Sequence, residues 1–189
     1  MDLNKEKDWE HNWKNNFIPW DIKRPDSYLQ SVMSTLNVKE GNALDLGCGS
    51  GYDSRYLSDL GFNVTGIDIS ESAIKRAKSI HSDINFVVGD IETDIPKNNY
   101  QIIYDRGCLH NNYEIVDSLL TTIRKNLDGY FIMVVGGEED SDYPRPEKFY
   151  IHDFIQRIEN DFKIVLIKEI NFDLAEGNGK FPGWLVILR

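Results

Sequence analysis

Two cysteines in 189 residues leave no disulfide framework to read. Cys48 and Cys108 lie in glycine-rich or apolar contexts, so reduced thiols in a cytoplasmic protein are the expectation. Basic charge is also scarce, with 21 Lys and Arg against 31 Asp and Glu and a formal charge of −10. That balance argues against a non-specific nucleic-acid binder, which needs cations to displace counterions from phosphates. No stretch approaches the ~20 apolar residues of a membrane span. The opening MDLNKEKDWEHNWKNN is too polar for a signal peptide. Neither nucleic acid nor membrane is therefore expected as a partner. His11, His81, His110 and His152 are scattered, and no Cys/His spacing fits zinc, so no metal is expected. Repeats and low-complexity tracts are lacking too.

What is present is a globular composition, 41% apolar and 28% charged. The length suits one domain. We expect it to span 1–189, with a helical segment over 1–38 and a core over 39–189. Apolar runs alternate with amphipathic segments. Helices are predicted over 8–16 and 26–37, with Pro19 and Pro25 breaking the stretch between them. Strands follow at 42–46, 62–67, 84–88, 100–104 and 130–135, and helices at 52–60, 71–80, 112–127 and 151–160. Tyr52, Tyr56, Leu57 and Leu60 share one face of the first core helix, and Ile74, Ala77 and Ile80 point inward from the second. Asp128-Gly129 is read as the end of the helix before strand 5. The last two strands, 162–170 and 183–188, have no helix between them and read as a hairpin whose loop is 176–183. Such alternation implies an α/β domain. It has a seven-stranded, mainly parallel sheet, helices on both faces and a C-terminal antiparallel hairpin. Ligands of these sheets bind outside the carboxyl ends of the strands, near the topological switch point.

The residues at those strand ends carry the chemistry. After strand 1 come Asp45-Leu46-Gly47-Cys48-Gly49-Ser50-Gly51, opening a helix. Three glycines in five residues allow a tight turn and close backbone approach to a ligand. The dinucleotide pattern G-x-G-x-x-G would need a glycine where Tyr52 stands, so the loop reads as a nucleoside site not made for a dinucleotide. Asp68 ends strand 2, where a carboxylate can accept from both ribose hydroxyls. Asp90 follows strand 3, placed to accept from the amine of a base. The bland alternatives are a surface acid for Asp68 and a solvated turn for Asp90.

These residues resemble the class I S-adenosylmethionine-dependent methyltransferases, which have a Rossmann-like fold, and the likeness runs from residue 42 to 189. It implies S-adenosylmethionine as cofactor. Asp45 and the loop of Gly47, Cys48, Gly49 and Gly51 would hold its methionine part. Asp68 would bind the ribose, Ile69 would pack on the adenine, and Asp90 with Ile91 would read the adenine edge. Upstream, Trp9, Trp13 and Trp20 belong to WEHNWKNNFIPWDIKRP, with Phe17 one turn beyond Trp13 on the same helical face. They either cover a sheet edge or form a lid over the cofactor. This spacing, the string DRGCLH at 105–110 and the ending FPGWLVILR resemble the thiopurine S-methyltransferase and thiol/halide methyltransferase group.

Methyl transfer from a sulfonium is an in-line displacement with nucleophile and methyl carbon about 3–3.5 Å apart. A thiol ionises near pH ~8.5, so it needs little help from a base. Asp105 is placed to orient the sulfonium end or take a proton. Arg106 would pair with Asp105 or hold an anionic acceptor, and His110 would be a base near neutral pH or a helix-start residue bonded to backbone. Cys108 reads as a small buried hydrophobe. The acidic run 138–142 reads as a solvated loop bordering the acceptor entrance. The expectation is methyl transfer to a small molecule, with sulfur the leading acceptor, by a monomer or homodimer. O- or N-methylation, methylation of a chalcogen oxyanion, and cofactor binding without turnover are the rivals.

Overall fold

The computed structural model describes residues 8–137, 150–175 and 179–189. Two helices, α1 (Trp9–Lys14) and α2 (Ser27–Thr35), precede a seven-stranded sheet. The core elements follow in the order β1 (Gly41–Leu46), α3 (Tyr52–Asp59), β2 (Phe62–Asp68), α4 (Glu71–Ile80), β3 (Asn85–Val88) and β4 (Tyr100–Arg106). Then come two 3-10 turns, α5 (Val116–Asn126), β5 (Leu127–Gly136), α6 (Ile151–Ile158), β6 (Ile164–Asp173) and β7 (Lys180–Leu188). The strand order is β3-β2-β1-β4-β5-β7-β6. Pairs among β1 to β5 are parallel, and β7 runs antiparallel to both β5 and β6. The chain winds outward from β1 to β3 and then returns to β4 on the other side of β1. The β1/β4 boundary is thus the switch point, and the crevice outside those strand ends is where a ligand fits.

Alternation along the strands sends side chains into two cores. In β5, Phe131, Met133 and Val135 pack with α5 and α6, while Ile132 and Val134 pack with α2, α3 and α4. The continuous apolar run of β5 therefore follows from its cover on both faces. Ile123 of α5 is fully buried, and truncation there to Ala would cost roughly 2–5 kcal/mol.

Several boundaries differ from the sequence expectation. Asp128-Gly129 lies inside β5 rather than ending a helix. The β4/β5 register is irregular between Tyr100 and Ile102, and a side chain on Gly129 would strike the Gln101 backbone. Glycine there marks a bulge with close backbone approach. Residues 113–115 form a 3-10 turn, so α5 starts only at Val116. β6 runs on to Asp173, and β7 starts at Lys180 and includes Pro182. Pro182 is tolerated because β5 pairs with β7 only as far as Gly183, so the missing N–H lies past the end of one neighbour. Ile80 is exposed rather than inward, and Ala73 joins Ile74 and Ala77 as the buried residues of α4; Leu60, on the face shared with Leu57, is exposed. The acidic run 138–142 and residues 176–178 of the hairpin loop lie outside the described residues.

Candidate active site

The loop after β1 turns through three left-handed glycines, Gly47 (φ 62°), Gly49 (φ 50°) and Gly51 (φ 78°). A Cβ on Gly51 would lie 2.5 Å from the Phe86 ring, and one on Gly47 would lie 2.9 Å from Cys108 Sγ. Both conformation and space thus require glycine. Cys48 N–H donates to Ile67 O at 3.0 Å and ties the loop to β2.

Asp68, at the tip of β2, accepts from Gly49 N–H and Ser70 N–H, each at 2.9 Å. Burial raises its pKa to about 6, although those two N–H donors pull the other way. A carboxylate offers about four acceptor positions, so two remain. Asp45 lies under the loop and accepts from the Ser54 hydroxyl at 2.5 Å. Burial, then the neighbouring Asp53, pushes its pKa well above the usual range. Asp53, in the first turn of α3, accepts from Asp26 N–H at 2.7 Å, and burial raises it to about 7. The Tyr104 hydroxyl, buried and electrostatically coupled to Asp53, Asp26 and Asp45, has no hydrogen-bond partner among the described residues.

The N-terminal segment roofs this loop. α1 is fixed to α4 by Glu10, which accepts from the Ser70 hydroxyl at 2.6 Å and from Ser72 N–H at 3.0 Å. These donors lower the Glu10 pKa to about 2. Trp13 packs so closely that a Cβ on Gly49 would sit 3.0 Å from its ring. Trp9 and Trp20 meet edge to face at 5.3 Å. Phe17 leaves that face: α1 ends at Lys14, Asn16 takes a φ of 56°, and Phe17 turns out to solvent. Between roof and loop lies an open cavity of about 430 Å³, counting its mouth. Trp13, Trp20, Asp45, Gly47, Cys48, Gly49, Gly51 and Arg106 of the sequence-derived set line it. So do Lys23 and Asp53, which sequence reading missed.

The remaining candidates do not line that cavity, and Asp68 reaches it only through its bond to Gly49 N–H. Ile69 is more than half exposed beside Asp68. Asp90 accepts from Glu92 N–H at 2.8 Å, whereas the Ile91 side chain is buried in the α5 core. Only the Ile91 backbone is left to meet a base edge. Asp105 is fully buried and accepts from Cys108 N–H at 2.9 Å and Leu109 N–H at 2.7 Å, capping the turn after β4. Burial raises its pKa to about 7. Arg106 does not pair with Asp105. Its Nε meets Asp26 Oδ2 at 2.9 Å, its other nitrogens donate to Trp20 O and Asp173 O, and the guanidinium lies 4.6 Å over the Phe172 ring. Three of its five N–H donors are thus held by the protein. His110 is buried, with Nδ1 accepting from Gly136 N–H at 3.0 Å and its ring edge-on to Phe172 at 5.5 Å. That is the backbone-bonded alternative weighed for it. Cys48 and Cys108 are thiols pushed well above their usual pKa, mainly by burial. Among the described residues there is no metal-ligand cluster and no helix long and apolar enough to cross a membrane.

A parallel α/β sheet with a reversed seventh strand, a glycine turn after β1 and an acid after β2 define the class I methyltransferase fold. Residues 37–168 match a family model described as a methyltransferase domain, and the chain belongs to that family. It is 30% identical over 111 residues to a probable thiol methyltransferase 2 of Arabidopsis thaliana, covering 56% of this chain and 49% of that protein. It is 26% identical over 193 residues to thiocyanate methyltransferase 1 of Brassica oleracea, covering 93% and 82%. The chain spans about half the length of the Arabidopsis relatives it matches. In structure it is similar to magnesium protoporphyrin IX methyltransferase from Synechocystis with bound SAH. That likeness has a TM-score of 0.70 and 17% identity over 87% of this chain and 81% of that one.

Proposed function

We propose that the chain binds S-adenosylmethionine and catalyses transfer of its methyl group to a small molecule, with a thiol or other sulfur nucleophile the leading acceptor. The observation that carries the reading is Asp68, which braces the left-handed glycine turn through Gly49 N–H while keeping two acceptor positions for a ribose. The surroundings fit a cationic nucleoside. Asp45, Asp53 and Asp68 are carboxylates with raised pKa values, held by burial in want of a positive charge.

The cofactor would supply an electrophilic methyl on a sulfonium. The chain's part is to hold it and to exclude water. Trp13 and Trp20 roof the cavity, and the N-terminal segment acts as its cover. Poor hydration favours a reaction in which a thiolate and a sulfonium lose their charges together. Asp105 and His110 both accept from backbone N–H groups, and neither lines the cavity. An acceptor that ionises unaided suits that site, and thiols do so. The relatives named for thiol and thiocyanate methylation support the same class.

The test is an acceptor screen with methyl-labelled cofactor across thiols, halides, thiopurines, phenols, amines and chalcogen oxyanions. Label in thiols supports the assignment. Label in phenols or amines alone overturns the sulfur acceptor, and cofactor binding with no product anywhere supports a non-catalytic binder.

A further inference from the structure

Asp68 is held from two directions. Its Oδ2 accepts from Gly49 N–H in the glycine turn, and its Oδ1 from Ser70 N–H at the head of α4, each at 2.9 Å. Those two donors set the plane of the carboxylate, and with it the direction of the lone pairs that remain. The Ser70 side chain is itself bonded on two sides. Its hydroxyl accepts from Ala73 N–H at 3.1 Å, as an N-cap does, and donates to Glu10 Oε2 at 2.6 Å.

Glu10 belongs to α1 of the cover, 60 residues from Ser70 in the chain, and does not line the cavity. It grips the head of α4 further through Ser72, accepting from its N–H at 3.0 Å and from its hydroxyl at 2.8 Å. A carboxylate is favoured at the first turn of a helix by the orphan N–H groups and the dipole, and here it comes from another segment. A continuous run of hydrogen bonds therefore joins the cover to the acid after β2: Glu10 to Ser70, and Ser70 to Asp68. Ser70 is fully buried and Asp68 nearly so, which leaves little water to compete for these bonds. A second tether of the cover avoids this turn. Arg76, further along α4, lies 5.6 Å over the Trp13 ring and donates to Asn16 Oδ1 at 3.0 Å.

We infer that Glu10 is a positioning residue for the cofactor, setting through the Ser70 hydroxyl the orientation in which Asp68 meets the ribose. The role rests on the S-adenosylmethionine reading and adds to it a residue outside the cavity. Closing the cover and presenting the ribose acid are then one event. When Glu10 withdraws, the turn at Ser70 loses its outer restraint, and the grip on the sugar loosens as the cover lifts.

Calorimetry on the full chain tests this with S-adenosylhomocysteine and its 2′,3′-dideoxy analogue, which lacks the ribose hydroxyls. Wild type should bind the dideoxy analogue about tenfold more weakly. Glu10→Ala should weaken S-adenosylhomocysteine about fivefold and leave the dideoxy analogue within about twofold. Ser70→Ala should show the same selectivity, and the double variant should be no weaker than either, because both break one link. Glu10→Gln keeps one acceptor oxygen and should recover part of the loss. Arg76→Gln loosens the cover away from Asp68 and should weaken both ligands by the same factor. Melting curves separate lost affinity from lost fold, and if Glu10→Ala does not fold, Glu10→Gln and Ser70→Ala carry the same comparison. If Glu10→Ala weakens both ligands in parallel, or its effect adds in full to that of Ser70→Ala, Glu10 only fastens the cover and the role is wrong. Unchanged affinity in Glu10→Ala, or an equal ribose-selective loss in Arg76→Gln, overturns it as well. Wild type that binds neither ligand overturns the cofactor reading itself.

Discussion

Arg106 Nε lies 2.9 Å from Asp26 Oδ2, joining positions 80 residues apart in the chain, and the two side chains are only 9% and 2% exposed. Asp26 also caps α2 through Tyr28 N–H at 2.7 Å and Leu29 N–H at 3.3 Å. One carboxylate thus starts a helix and anchors the end of β4. Removing one member of a buried pair leaves the other charge without compensation.

Arg106→Ala should therefore destabilise the protein by about 3–5 kcal/mol. Arg106→Lys should recover only part of this, because a single ammonium cannot reach Asp26, Trp20 O and Asp173 O together. Urea unfolding of the three proteins measures the difference, and a loss under ~1 kcal/mol for Arg106→Ala would place the pair in the weak surface class.

Asp68→Ala should weaken S-adenosylmethionine binding by ~1–3 kcal/mol through loss of charge-assisted hydrogen bonds. It also removes the brace on Gly49, so the variant should melt at a lower temperature than wild type. Calorimetric affinity equal to wild type would remove Asp68 from the site.

Trp20→Ala should weaken cofactor retention about tenfold, the scale of one desolvated aromatic contact. The ring lines the cavity, whereas the Arg106 bond uses the Trp20 carbonyl, which the substitution keeps. Dissociation measured by competition with labelled cofactor distinguishes this from packing: an unchanged rate with a lowered melting temperature would make the ring structural only.

Acidity supplies a fourth outcome. Asp68, Asp53 and Asp105 have folded pKa values of about 6, 7 and 7, raised from 3.8 mainly by burial. A carboxyl with a raised folded pKa binds its proton more tightly in the native state, so it favours folding below the unfolded pKa. That contribution is lost as pH climbs through the folded value. Glu10, Asp83, Asp153 and Asp173 are lowered and act in reverse, but their effect is complete above the unfolded carboxyl range. His81, lowered mainly by burial, opposes the trend as one group against three. The ligand-free protein should therefore melt at lower temperature as pH rises from about 5 to 7.5. Cofactor affinity should rise over the same range, because ionised acids attract a sulfonium. Differential scanning fluorimetry with and without S-adenosylmethionine reads both slopes, and a flat ligand-free curve would contradict the burial of these acids.

The glycine loop, the acid after β2 and the strand–helix alternation were legible because each is local. Left-handed turns and apolar runs are written in consecutive residues. The Asp53 and Lys23 cavity positions were hidden by distance. Asp53 passes as an ordinary helix-start acid, and only the fold brings it to Asp26 and beside the N-terminal segment. Arg106 stood next to Asp105 in sequence, which suggested a pair, yet successive strand residues point to opposite faces. One turned to Cys108 and Leu109, the other to Asp26. Gly129 and Pro182 misled for a related reason, since each looks like punctuation until the neighbouring strand ends are known.

The region matched by the family model begins at residue 37, after both Trp20 and Asp26. A fragment cut at that boundary would keep every strand and still leave a guanidinium in the interior with no counterion, facing a crevice stripped of its tryptophans. Shortened versions prepared for crystallisation or display should instead start ahead of Trp9, so that Asp26 stays with Arg106 and both tryptophans stay over the crevice.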